Sequence, residues 1–322
     1  MRVLVTGGAG FLGSHLCEAL VARGDSVLCV DSFDPHYPMR DKLCNLSSLD
    51  GNPNFAFLKG DVREPSRLLS WLRGEKFDAI AHLAARDSER ESLLAPRMYF
   101  DLNTTGTLGA LELARRLGVG RFVMTSAASV YGGLGALPWA EDAPTTEVLS
   151  VHGASKLAAE ALCQCYAATY GIGVCILRVF SAYGPRQRPD TALRRFAEQL
   201  LAGQPATVYG DGKSTRDFVF CDDVVRALVL ALDKEFRCEI INIGSGRQST
   251  VLELLELVAS ELGVKPEVVH RPPYPGEPEH ALADVQKARE LLGFEAQVEL
   301  REGVRRFARW LADVRRAAQG ES

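Results

Sequence analysis

Near its start the chain reads Thr6-Gly7-Gly8-Ala9-Gly10-Phe11-Leu12-Gly13, between an apolar run, Arg2–Thr6, and an amphipathic stretch, Gly13–Arg23. Glycines at that spacing between a strand and a helix suit a diphosphate. The first allows a tight turn, the second lets backbone approach the anion, and the third lets the helix pack close to the strand. The helix N-terminus adds free N–H groups and the positive end of its dipole. Glycine is also the default residue of any tight turn, so the added signal is Asp31, which ends the next apolar run where a ribose-binding carboxylate belongs. Asp31 accepts hydrogen bonds from ribose hydroxyls and repels a 2′-phosphate. Ser32 and Phe33 bring no Arg to offset that, so NAD is favoured over NADP. A plain strand-end turn is the other reading of Asp31. Further on, His152 and Lys156 stand four apart in a helical pattern and share a face. An imidazole, with its reference pKa of about 6.5, suits general-base work near neutrality, and a cation beside it disfavours the imidazolium. Arg188 offers a planar fork that can meet a carboxylate with two parallel hydrogen bonds; a solvated loop charge is its alternative.

These residues need a frame. Apolar runs recur at Arg2–Thr6, Ser26–Asp31, Ala56–Lys59, Ala79–Leu83, Phe122–Ser126 and Gly173–Val179, with helical patterns at Gly13–Arg23, Ser66–Arg73, Pro96–Leu117 and Ala154–Tyr170 between them. The alternation predicts an α/β fold: a doubly wound parallel sheet covered on both faces, with right-handed crossovers. After Val179 loops punctuate helical patterns at Ala192–Ala202, Val219–Leu232, Leu252–Leu262 and Val285–Leu292. Residues 1–180 are therefore expected to bind the dinucleotide, with 217–245 returning to that domain, and 181–322 to form a smaller substrate lobe.

Composition narrows the classes. The 322 residues are 47% apolar and 24% charged, with 37 Lys plus Arg against 41 Asp plus Glu. No run of like charge stands out, which argues against nucleic acid and membrane surfaces as partners. No stretch approaches the roughly 18 apolar residues of a membrane helix, and the start turns glycine-rich too early for a signal peptide. Eight scattered cysteines without a C-x-x-C pair read as free thiols in a reducing, cytoplasmic setting, and no metal-ligand spacing is present.

Together with other segments, these residues resemble the extended short-chain dehydrogenase/reductase family of NAD-dependent epimerases and dehydratases. The likeness is greatest to the UDP-glucuronate 4-epimerase and UDP-glucose 4-epimerase branches. Asp31-Ser32-Phe33-Asp34-Pro35-His36-Tyr37 is similar to the family's D-N-F-N-x-Y-Y, Gly60-Asp61-Val62 to G-D-[VI], and Thr215-Arg216-Asp217-Phe218 to T-R-D-F. The resemblance implies that Asp61 and Val62 meet the adenine, that Leu83 of His82-Leu83-Ala84-Ala85 and Asn103 lie on the nicotinamide side, and that Arg216 grips phosphates. Taken singly, Asp61 reads as a turn residue, His82 as a satisfied strand histidine and Arg216 as a surface charge. The run Phe180-Ser181-Ala182-Tyr183-Gly184-Pro185-Arg186-Gln187-Arg188-Pro189-Asp190 resembles the glucuronate branch, implying that Arg188 approaches a sugar carboxylate. Arg90, Ser181, Tyr209 (against uracil) and Glu277 complete the implied substrate side. The Arg of the family's R-P-G-D is absent from Tyr274-Pro275-Gly276-Glu277, with Arg271 a candidate substitute. The resemblance also implies a homodimer through helices Pro96–Leu117 and Ala154–Tyr170.

The catalytic positions depart from the pattern. Where the family has a Tyr four residues before Lys156, this chain has His152; where it has Ser or Thr on the preceding strand, this chain has Ala127. Thr125, Ser126, Ser129 and Tyr131 are nearby hydroxyls, of which Ser126 and Tyr131 are the expected substitutes. Ala128 and Ser129 occupy the places of the acidic residues used by family dehydratases and decarboxylases, which leaves an epimerase-like pattern. The implied activity is NAD-dependent modification of a UDP-sugar, C4 epimerisation of UDP-glucuronate or a relative through a 4-keto intermediate. Two alternatives stand beside it: a nucleotide-sugar and NAD-binding protein without turnover, and a substrate-assisted sugar ketoreductase. On this reading His152→Tyr keeps or raises activity, with Ala127→Ser as its natural partner.

Overall fold

Every residue of β1 (Arg2–Thr6) after Arg2 is buried, because the strand lies mid-sheet with both faces covered. The computed structural model describes residues 1–319; residues 320–322, the end of the expected substrate lobe, lie outside the described residues. β1 is joined by β2 (Ser26–Asp31), β3 (Phe55–Lys59), β4 (Ala79–His82), β5 (Arg121–Ala127) and β6 (Gly173–Val179). After the short strands β7 (Ser181–Tyr183), β8 (Ala206–Tyr209), β9 (Thr215–Arg216) and β10 (Phe218–Phe220), β11 (Cys238–Ile243) closes the sheet. The order is β11-β6-β5-β4-β1-β2-β3, and every neighbouring pair is parallel.

Strand periodicity divides the core. Val3, Val5, Ala79, Ala81 and Val123 join one apolar cluster, with α1 (Phe11–Ala22) and α9 (Cys221–Leu232) packed against it. Leu4, Ile80, Phe122 and Met124 face the other way, toward α3 (Pro65–Trp71), α6 (Gly106–Leu117) and α7 (Val151–Tyr170). Neighbours in a strand thus serve opposite layers.

A third cluster unites α8 (Ala192–Leu201), α10 (Val251–Leu262) and α12 (Leu300–Gln319). Helix α11 (Gln286–Leu292), by contrast, sends Ala288 and Leu292 into the main-sheet core, as α9 and β11 do. The expected helix Pro96–Leu117 is broken by a π-helical segment at Phe100–Thr105, between α5 (Pro96–Tyr99) and α6. Three helices lie outside the sequence expectation: α2 (Met39–Leu46), α4 (Glu89–Leu94) and α12. Two of them are short, and α4 is started by the Ser88 hydroxyl accepting from Glu91 N–H. No helix among the described residues is long and apolar enough to cross a membrane. All eight cysteines are free, and Cys44 and Cys165 are exposed rather than buried.

Candidate active site

The glycine loop is held by its own backbone. Gly7 has φ +72 and donates to Val30 O, while Gly10 N and Ser14 N continue the turn into α1. A Cβ on Gly13 would stand 2.1 Å from Gly7 O, so helix and loop touch only because that side chain is absent. Asp31 accepts from Ala9 N–H at 3.2 Å and Phe33 N–H at 2.8 Å, and Lys42 Nζ lies 3.4 Å away. The buried Lys42 is a cation beside Asp31 that the sequence reading did not include.

These groups border one cleft of about 450 Å³, which also takes in Phe11, Leu12, Asp61, Val62, Leu83 and Lys156. Burial alone would raise the Asp61 carboxyl, but hydrogen bonds from Arg63 hold it below its ordinary range. Asn103 does not border the cleft. Its amide clasps the Arg86 backbone and Ser155 Oγ, so it braces the loop after β4 from behind. His82 is an interior histidine satisfied by Thr6 and Thr107, pushed down to about 3 by burial and by Lys156.

At the start of α7, Lys156 donates to Thr125 O at 2.9 Å on the cleft floor. Burial pulls its ammonium down to about 8, with Asp87 and Glu160 offsetting only part of that cost. Between about pH 8 and 10.4 the unfolded chain therefore binds more protons here than the native one, and this residue's contribution to stability rises with pH. The rise amounts to about 1.4 kcal/mol per pH unit at most. Denaturant midpoints of wild type and Lys156→Met, taken from pH 7 to 10.5, should diverge by that slope; parallel curves would refute it.

The structure gives both expected catalytic hydroxyls partners of their own. Ser126 borders the cleft, but its hydroxyl donates to Glu160 at 2.5 Å, and Glu160 is in turn paired with buried Arg178. Tyr131 is fully buried, donates to Asn242, and is flanked by Trp139; it lies outside the cleft. Ser129 is the hydroxyl beside the reaction position: it lines the cleft, and its Oγ is 3.2 Å from His152 Nδ1.

His152 itself is fully buried, behind two carboxylates that sequence reading missed. Nε2 faces Asp87 Oδ1 at 3.4 Å and Nδ1 faces Glu89 Oε1 at 3.6 Å. Asp87 and Glu89 line the cleft; the Asp87 side chain is 62% exposed, whereas His152 is closed off. Burial would raise the Glu89 carboxyl, yet His152 holds it below its ordinary range; at the more exposed Asp87, where desolvation counts for less, His152, Arg188 and Lys156 lower the carboxyl as well. The imidazole thus has two carboxylates within 3.6 Å, in addition to Lys156 one turn further along α7. A phenol is longer than an imidazole and Asp87 and Glu89 stand within 3.6 Å of the ring nitrogens, so His152→Tyr alone is not expected to raise activity.

Arg188 lines the cleft, but its fork is already shared. Nε is 3.0 Å from Asp190, Nη1 is 3.7 Å from Asp87, and Nη2 donates to the Asp87 carbonyl. Arg188→Ala should weaken a uronic-acid nucleotide sugar about tenfold, near the low end for a charged hydrogen bond, and leave its neutral counterpart unchanged. Calorimetry with both sugars measures this, and equal losses would remove Arg188 as a carboxylate reader.

At the far end Glu277 bridges Arg90 at 2.7 Å and Arg216 at 3.2 Å. Arg90 lies 4.3 Å over Tyr209 and over Tyr274. Ser181 also borders this cleft. Arg271 is exposed and outside it, so it does not replace the missing Arg. Arg195, 5.2 Å from the Tyr209 ring and with an unpartnered buried Nε, is the cation that sequence reasoning overlooked. Its signal was a polar position on a strongly amphipathic helix.

The sequence model of the NAD dependent epimerase/dehydratase family matches residues 3–244. The chain is 34% identical over 308 residues to UDP-glucuronate 4-epimerase from Thermodesulfobacterium geofontis, covering 95% of each. It is 36% identical to UDP-glucose 4-epimerase from Mycolicibacterium smegmatis, covering 94% of this chain and 96% of that one. The crystal structure of UDP-glucuronic acid 4-epimerase from Bacillus cereus in complex with UDP-glucuronic acid and NAD is similar at a TM-score of 0.91. Identity there is 35%, covering 98% of this chain and 100% of the other.

Proposed function

The chain belongs to the NAD dependent epimerase/dehydratase family, and from that premise we propose that it inverts C4 of a UDP-sugar with NAD as cofactor. One observation carries the reading: a single cleft runs from Gly7, Gly10 and Gly13 past Lys156 to Arg188, Tyr209 and Arg216. The residues suit NAD. A loop that a Cβ on Gly13 would block can cradle its diphosphate, Asp31 its adenosine ribose, and Lys156 its nicotinamide ribose. Bound there, NAD would supply a reversible hydride acceptor for C4, and the sugar would pass through a 4-ketone.

The chain's own share is binding, orientation and proton handling. Arg90, Arg195 and Arg216 gather where the sugar's diphosphate would lie, and Tyr209 offers a ring face for uracil. Proton removal at the C4 hydroxyl falls to the group formed by Asp87, Glu89 and His152. Asp87 and Glu89 open on the cleft, and His152 positions them from behind. Residues 1–180 with 217–245 hold the cofactor and lend Asp87, Glu89 and Arg90 to the sugar, and the rest of the region from 181 onward supplies the remaining sugar contacts. Free cysteines support action in the cytoplasm. Exposed Phe100, Leu108 and Tyr170 on the helical segments around α6 and α7 support a homodimer, which light scattering would report.

Purified protein incubated with UDP-glucose or UDP-glucuronate and followed by proton NMR should produce the C4 epimer of one of them. An unchanged spectrum with both sugars, despite their binding, would favour a second reading, sugar binding without turnover. Ala127 and the complete burial of His152 are the features behind that alternative.

A further inference from the structure

We propose that Asp87, Glu89 and His152 form a binding site for one divalent transition-metal ion at the wall of the cleft. Sequence spacing conceals it, because His152 begins α7 whereas the carboxylates follow β4; the fold brings their donor atoms within 4.8 Å of one another. His152 is fully buried, and its Nε2 has no hydrogen-bond partner. Nδ1 stands 3.2 Å from Ser129 Oγ, which fixes the ring and leaves Nε2 directed at Asp87.

The gap at Nε2 is informative. At 3.4 Å from Asp87 Oδ1, Nε2 is beyond the usual 2.7–3.2 Å of an N–H···O hydrogen bond. Bonds of about 2.0–2.2 Å to a tetrahedral ion, however, space an imidazole nitrogen and a carboxylate oxygen at about 3.4 Å. Two carboxylates and one imidazole are a mixed oxygen and nitrogen set, suited to zinc, manganese or cobalt rather than to a thiophilic ion. Asp87 Oδ1 and His152 Nε2 frame the ion directly, and Glu89, whose Oε1 stands 3.6 Å from Nδ1, joins them by turning its carboxylate toward Asp87; three protein ligands then leave a position open. Asp87 and Glu89 both line the cleft, so that position faces it. That a sugar oxygen fills it rests on the proposed epimerisation; the metal site itself does not.

The test uses the full chain without sugar, stripped by chelator and titrated with Co²⁺, whose ligand-field absorption reports nitrogen and oxygen ligands directly. One Co²⁺ per chain is expected, displaced by Zn²⁺. Asp87→Asn and His152→Ala should each weaken binding at least tenfold, with retained NAD affinity reporting an intact fold. His15→Ala, which disrupts the other His/Cys/carboxylate cluster among the described residues, should leave binding unchanged. Absence of a stoichiometric site, binding that follows His15, or binding indifferent to Asp87→Asn would each overturn the proposal. Epimerisation, assayed separately with the two sugars, distinguishes failure of the metal site from failure of the proposed activity.

Discussion

His152→Ala should lower sugar turnover at least about 100-fold, the scale of a lost acid–base group, while NAD binding is unchanged. The glycine loop and Asp31 sit on β1, α1 and β2, and none of them touches the ring. What changes is local: Asp87 and Glu89 lose the imidazole that holds both carboxyls below their ordinary range. They are left facing a cavity, and their affinity for protons rises. His152→Tyr alone should be equally inactive, because the phenol meets those carboxylates. Trimming both to Ala, together with Ala127→Ser, supplies the space and the hydroxyl that the family's Tyr requires. NMR of the sugar and calorimetry with NAD separate the two effects. Full activity in His152→Ala would move the proton chemistry away from this group.

Gly13→Ala should abolish NAD binding and cost about 1–3 kcal/mol of stability, the range for overpacking. Its Cβ would lie 2.1 Å from Gly7 O and 2.8 Å from Gly8 Cα, and both neighbours are backbone that cannot rotate away. The start of α1 must therefore retreat from β1, taking with it the N–H groups that face the diphosphate. Gly120→Ala is the matched control, since a Cβ there meets nothing within 4 Å and the residue needs no positive φ. Calorimetry and denaturant melts of the two variants decide the matter. NAD affinity retained in Gly13→Ala would mean that the cofactor does not use this turn.

The cofactor side was legible because its signal is local. Gly7, Gly10, Gly13 and Asp31 all fall within one strand–helix–strand unit, where spacing alone sets geometry. The reaction side was not. Glu89 and His152 are 63 positions apart in the chain, and only the adjacency of β4 and β5 and the docking of α7 bring them together. Ser126 shows a second limit: its type suited catalysis, but its hydroxyl donates to Glu160. Arg195 shows a third, since a helical Arg is ordinarily a solvated charge until a neighbouring strand and loop enclose it.

The bridge from Glu277 to Arg90 and Arg216 bears on how this protein takes up a charged ligand. Two guanidinium groups at the far end of the cleft already hold an anion belonging to the chain itself. Entry of a diphosphate is thus an exchange of one anion for another, not the filling of bare positive charge. The cost of dislodging Glu277 is subtracted from every ligand alike, so a weakly held anion such as chloride gains little foothold. Added salt loosens the incoming contact and the one it replaces together, which flattens the dependence of affinity on ionic strength. Discrimination then rests on geometry, because only a ligand that spans both arginines recovers what the displaced carboxylate gave up.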